Sequence, residues 1–168
     1  MSTYDLDALE RAYGPVPVHE KTFDADADAF AEYRTAARED AIGGARVLVT
    51  CDGEALLCRV RDGLDGWDVV GGGREPGETP GETARREVRE EVGLDVTLTD
   101  AVRASRITFA HGDRTVSGLW VYFRGTSAAR SLTVQSSELH EARWVAPDEV
   151  PPLLEAGAEP VIRDWADG

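Results

Sequence analysis

The stretch from Gly71 to Leu94 constrains this chain most, because it specifies both ends of a helix and the loop before it. Three glycines, Gly71 to Gly73, followed by Gly77, let the backbone approach another group closely, since no Cβ stands in the way. Thr79 then falls at an N-cap, Pro80 at the first helical position and Glu82 at the third, the pattern of a capping box. Gly93 supplies the left-handed residue on which helices commonly end. The spacing predicts a helix over about 80–92.

On that helix Glu87, Glu90 and Glu91 stand at i, i+3 and i+4 and share an arc of roughly 100°. Like charges so close repel unless cations sit among them. Hard oxygen donors on a rigid helix suit Mg²⁺ or Mn²⁺. Ala84, Val88 and Val92 lie on the opposite side and would pack on a sheet, while Glu78 can pair with Arg86 and shape the turn. For the glutamate triplet alone, a solvated acidic–basic helix is an equal account.

The chain before this segment reads as a helical lead-in over 1–40, with Asp24 to Asp26 starting a helix. Phe30, Tyr33 and Ala37 form its apolar stripe, which packs on the main domain or on a second copy in a homodimer. A domain over 41–168 follows. It opens with strands Arg46–Thr50 and Ala55–Val60 around the turn Asp52–Gly53. Trp67–Val70 is a short strand running into the glycines. Further strands are expected near 95–103, 105–110, 115–124 and Glu141–Val145, with a final helix near 148–156. Few helices among hairpin-linked strands indicate an α+β fold or an α/β/α sandwich. Cys51 and Cys58 read as small strand residues rather than a disulfide.

The net charge of −14 comes from 32 acidic and 18 basic residues, and Lys21 is the one lysine. An acidic, arginine-rich, lysine-poor surface resembles that of proteins from halophilic archaea. It argues against binding large nucleic acids or anionic membranes, but not against a phosphate substrate bridged by metal. With no leader-like start and no long apolar run, the expected location is the cytoplasm.

The segment Gly72–Leu94 resembles the Nudix box: Gly, five residues, Glu, seven residues, Arg-Glu, an aliphatic, any residue, Glu-Glu, any residue, Gly, an aliphatic. Gly72, Glu78, Arg86, Glu87, Val88, Glu90, Glu91, Gly93 and Leu94 fill its positions. The strand with Trp67 and the later segment Glu138–Val145 are also similar to the family, and the likeness spans roughly 42–157. Val70 departs from the proline often found before the glycines.

The resemblance implies a mixed-sheet sandwich and a Mg²⁺- or Mn²⁺-dependent pyrophosphohydrolase. Its substrate would be a nucleoside triphosphate or nucleotide sugar; ADP-ribose pyrophosphatase and a non-catalytic nucleotide sensor are the alternatives. It implies Glu90 and Glu91 as principal metal ligands, joined by Glu87, Glu138 and a carbonyl at Gly71 or Gly72. Glu141 is a second choice for the late ligand. Arg86 and Glu78 would orient the ligands, and the base would be Glu87 or Glu138. Arg59, Arg61, Arg74 and Arg124 are candidates for phosphate or ribose, and Phe109 for stacking on a base. His111, Trp120, Tyr122 and Phe123 are weaker candidates. Trp67 and Trp144 read as structural.

Overall fold

A computed structural model describes residues 4–60, 65–155 and 157–168. Its elements run α1 (Leu6–Tyr13), β1 (Val18–Asp24), α2 (Ala27–Arg38), β2 (Gly43–Cys51), β3 (Glu54–Val60), β4 (Val70–Gly73), α3 (Pro80–Val92), β5 (Thr97–His111), β6 (Arg114–Thr126), β7 (Leu139–Val145) and α4 (Glu159–Asp167). The strands form one mixed sheet in the order β1-β5-β6-β2-β3-β7, with β4 paired to the start of β2. The β1–β5 and β2–β6 pairs are parallel and the others antiparallel.

The β2–β3 hairpin turns on Asp52 (φ 51°) and Gly53 (φ 79°). Two successive positive φ values match the right-handed twist of the flanking strands, which is why Asp-Gly occurs there. Both faces of β2 are covered. Val47 and Val49 face the core that holds Val88 and Val92 of α3; Leu48 faces the core that holds Val161 and Ile162 of α4. Strands buried on both faces read as unbroken apolar runs, as Val47–Val49 does. The result is the expected α+β architecture, a mixed sheet between helices.

The lead-in differs from its helical reading. Between α1 and α2 it adds β1 to the sheet edge, in parallel register from Val18 beside Ala104 to Asp24 beside Ala110. Tyr4, Leu9 and Val16 belong to the main core. The apolar stripe of α2 packs on the chain's own sheet: Phe30 is buried, and Tyr33 stacks on Phe109 with ring centroids 3.6 Å apart.

Two more expectations change. The strands near 95–103 and 105–110 are one strand, β5, with register shifts at Leu98/Asp100 and Ala101/Arg103. The last helix is Glu159–Asp167 rather than 148–156. Pro151 and Pro152 explain this, since proline offers no N–H and disfavours helix in the residue before it. Cys51 and Cys58 are both free thiols. No helix among the described residues is long and apolar enough to cross a membrane.

Candidate metal and phosphate site

Helix α3 begins and ends as its sequence dictates. Thr79 Oγ1 accepts the Glu82 N–H (3.2 Å) and Glu82 Oε2 accepts the Thr79 N–H (2.9 Å). Gly93 closes the helix at φ 73°. Its last carbonyls are then used by a later segment: the Thr133 and Gln135 N–H groups donate to Val92 O (2.9 Å) and Glu91 O (2.8 Å). Gln135 O in turn accepts the N–H groups of Glu138 and Leu139 (3.3 and 3.0 Å). Otherwise unpaired helix-end carbonyls thus dock the segment that carries Glu138.

The docking gathers three carboxylates. One oxygen each from Glu87, Glu91 and Glu138 lies within 4.8 Å of the others. Glu87 and Glu91 are buried, while Glu138 sits at the exposed rim. The cleft around them, about 380 Å³, is also lined by Arg46, Gly71 and Gly72. The glycines are sterically required. A Cβ on Gly72 would stand 2.6 Å from the Glu87 carboxylate, and one on Gly71 would stand 2.3 Å from Ala45 O. The Gly71 N–H donates to Glu91 Oε2 at 3.2 Å.

Arg86 is the hub beside the cluster. Its guanidinium donates to Glu78 (2.6 and 3.0 Å), Glu87 (3.0 Å), Glu90 (3.2 Å) and Gly73 O (2.8 Å). Burial works to raise the Glu78 carboxyl. The hydrogen bonds from Arg86, the Glu75 N–H and Thr83 outweigh it and hold Glu78 down to about 2. Glu91 goes the other way: burial, then the neighbouring Glu87 charge, push it up to about 8. Glu87 is also raised, chiefly by burial. Buried carboxylates that resist ionisation, facing one another across less than 5 Å, are a donor set that a hard divalent cation satisfies. The residues present fit Mg²⁺ or Mn²⁺.

Other expected site residues fall into two groups. Glu90 lies beside the cluster, about half exposed, with its carboxylate on Arg86. Glu141 is drawn away by Arg59 at 2.8 Å, which leaves Glu138 as the late carboxylate in the cluster. Arg59 also lies over the Trp67 ring. Arg74, expected to meet substrate, is instead buried against the Tyr4 ring and salt-bridged to Asp40 at 2.9 Å. Phe109, expected to stack on a base, is buried among Phe23, Tyr33 and Trp120. These two are corrected to packing roles, because the N-terminal elements cover them.

His111 meets the Ala25 carbonyl through Nδ1 at 2.9 Å. Trp144 donates to Arg130 O at 3.0 Å. Arg124 lines a different cavity, and Arg61 lies outside the described residues. Arg46 was not among the sequence candidates. Its signal was a charged residue inside the apolar strand Ala45–Val49. It lines the cleft while pairing with the buried Asp68 at 3.4 Å and donating to Val69 O at 3.1 Å.

Residues 42–165 match the NUDIX domain. A comparison with curated protein sequences gave no match. Among solved structures, the chain is similar to a NUDIX hydrolase from Nitrosomonas europaea (TM-score 0.59, 18% identity, 74% of this chain and 70% of that one). It is also similar to a UDP-X diphosphatase (TM-score 0.53, 20% identity, 86% and 72%). A third is an ADP-ribose pyrophosphatase from Streptococcus suis (TM-score 0.52, 17% identity, 74% and 89%). At these identities the structural likeness speaks for the fold. The domain match runs through α3, the acidic cleft and both cores, so the chain belongs to the NUDIX family and is a hydrolase of pyrophosphate bonds.

Proposed function

We propose that the protein hydrolyses, with Mg²⁺ or Mn²⁺, the diphosphate linkage of a nucleoside diphosphate derivative, either a nucleoside triphosphate or a nucleotide sugar. The observation that carries this reading is the trio Glu87, Glu91 and Glu138, with oxygens within 4.8 Å, in a cleft that has room for a diphosphate. The solved structures named for UDP-X and ADP-ribose support the substrate class, a nucleotide joined through a diphosphate to a second group.

Bound to the three carboxylates, the metal would neutralise phosphate oxygens and acidify a water molecule. The chain's residues do the rest. The Gly71 N–H fixes Glu91, and Arg86 fixes Glu87 and Glu90, so each carboxylate is aimed before substrate arrives. Arg46 adds a positive charge to the cleft wall. The Glu138 side chain forms no hydrogen bond or ion pair among the described residues. We assign it to take a proton from the attacking water, through the carboxylate oxygen it does not offer to the metal. The water oxygen bonds to phosphorus as the anhydride P–O bond breaks, and the phosphate fragment leaves with the bridging oxygen.

The acidic, arginine-rich composition supports work in concentrated salt. The test is product release with Mg²⁺ in molar KCl, over (d)NTPs, nucleotide sugars, ADP-ribose and dinucleoside polyphosphates. Glu91→Gln is the control. A preferred substrate cut by the wild type alone is the expected result. Tight nucleotide binding without turnover of any of them would overturn the reading in favour of a sensor.

A further inference from the structure

A carboxylate withdrawn from water needs charge and hydrogen bonds to replace its hydration. Asp68 is 2% exposed, between the buried Trp67 and Val69. Its backbone is locked to β3: the Cys58 N–H donates to Asp68 O (2.8 Å) and the Asp68 N–H to Cys58 O (2.9 Å). Its side chain is then held from three directions. Oδ1 accepts the N–H groups of Val69 and Ala158, both at 2.8 Å. Oδ2 stands 3.4 Å from Arg46 Nη1. Gly157 closes the third side, where a Cβ would lie 2.6 Å from Oδ2. Ala158 begins α4 and brings no side-chain cap, so Asp68 supplies an acceptor where the helix dipole favours negative charge.

Arg46 is the cation of this arrangement, and the backbone makes way for it. It stands opposite Gly71 in the β2–β4 pair, and a Cβ on Gly71 would lie 2.6 Å from Arg46 Cγ. The glycine whose N–H fixes Glu91 thus also leaves room for the arginine stem beside the cleft. At the end of that stem Nη1 takes both anchors, Val69 O at 3.1 Å and Asp68 Oδ2 at 3.4 Å. Nε and Nη2 make no hydrogen bond among the described residues. A planar guanidinium gripped through one nitrogen keeps its Nε–Nη2 edge for a bidentate partner, and two phosphate oxygens match that edge.

The cleft itself cannot supply that grip. Arg46 shares the cleft wall with Glu87, Glu91 and Glu138, and without a carboxylate of its own it would be drawn onto their oxygens, where a metal ion belongs. Asp68 is not among the residues that line the cleft. It stands behind Arg46, fixed by β3 and the start of α4, and holds the guanidinium back from the cluster. We propose, resting on the hydrolysis reading for the substrate, that Asp68 is a positioning residue: it anchors Arg46 Nη1 so that the Nε–Nη2 edge meets the substrate's diphosphate and the three carboxylates stay open to metal.

Asp68→Asn tests this. Asparagine keeps an oxygen for the Val69 and Ala158 N–H groups and sets an amide NH₂ against Arg46, so the local fold stays while the grip is lost. A contact made equally in ground and transition states shows in KM and not in kcat. At saturating Mg²⁺, KM is expected to rise about tenfold, the scale of one charge-assisted phosphate contact, with kcat changed by less than about threefold. Arg46→Gln should give the same split, and the double variant should be no worse than Arg46→Gln alone, because the two residues act through one contact. Calorimetry with Mg²⁺ and a methylene-bridged diphosphonate, which cannot be hydrolysed, should rank the same proteins in the same order. If Asp68→Asn does not fold, Gly157→Ala displaces the carboxylate from behind and carries the same expectation. Wild-type KM and diphosphonate affinity in the folded variant, or losses that add in the double variant, would overturn the assignment. The expected order of diphosphonate affinities in a protein that turns over no substrate would overturn the hydrolysis reading and leave the role of Asp68 standing.

Discussion

Replacing Glu91 by glutamine should remove turnover and yet make the metal-free protein more stable. Glu91 is 5% exposed, lies beside Glu87 and Glu138, and has its carboxyl pushed up to about 8 from 4.5, first by burial and then by the Glu87 charge. A carboxyl whose folded pKa is raised penalises the fold whenever it must ionise. The penalty is absent below the unfolded pKa, grows between the two values and is complete above the folded one. At pH 7 the gap from 4.5 spans 2.5 units, which at about 1.4 kcal/mol per unit is about 3 kcal/mol.

Glutamine keeps the shape, and its oxygen can still accept the Gly71 N–H. In EDTA near neutral pH the variant should therefore melt roughly 6–12 °C above the wild type for a chain of this size. Near pH 5 most of that gain should vanish, because little of the penalty has yet developed. Millimolar Mg²⁺ should raise the melting temperature of the wild type and raise that of Glu91→Gln much less, since a ligand stabilises by an amount that grows with the logarithm of its affinity. Thermal melts with and without EDTA at the two pH values test this. A variant that melts below the wild type in EDTA at both would refute the reasoning. The carboxylates would then be stabilised by their protein partners and would not await a cation.

Arg86→Lys should lower kcat on the order of 100-fold with a smaller change in KM, because a single ammonium cannot span Glu78, Glu87, Glu90 and Gly73 O together. Near-wild-type kcat in steady-state assays would show that the ligands need no such orientation. Gly72→Ala should lose activity by roughly 10- to 100-fold, since its methyl group would stand 2.6 Å from the Glu87 carboxylate. Gly73→Ala should lose far less, its nearest contact being Gly43 O at 3.9 Å. Equal losses in the two variants would argue against Gly72 as the seat of Glu87.

What the sequence disclosed and what it hid divide along contact distance in the chain. The α3 bounds were legible because their causes are local: Thr79 and Glu82 cap each other, Pro80 sits at the start, and Gly93 ends the helix in a left-handed turn. The Glu78–Arg86 pair, Glu87 and Glu91 were legible for the same reason, since loop and helix are adjacent. The resemblance put Glu138 ahead of Glu141, but nothing in the residues themselves separates the two. That choice is made by β3–β7 pairing, which sets Arg59 opposite Glu141.

Strand β1 was illegible because every residue in it is exposed. Backbone pairing to β5 holds it along its whole length, which leaves no apolar alternation to read. Arg74 and Phe109 looked available because their local surroundings are a loop and a strand. Tyr4 and Tyr33, from far earlier in the chain, are what bury them. Each misread residue thus has a distant partner in the N-terminal elements, which lie outside the NUDIX match. The family motif reads out the chemistry, and the added elements decide which of the remaining arginines and aromatics are left to meet a ligand.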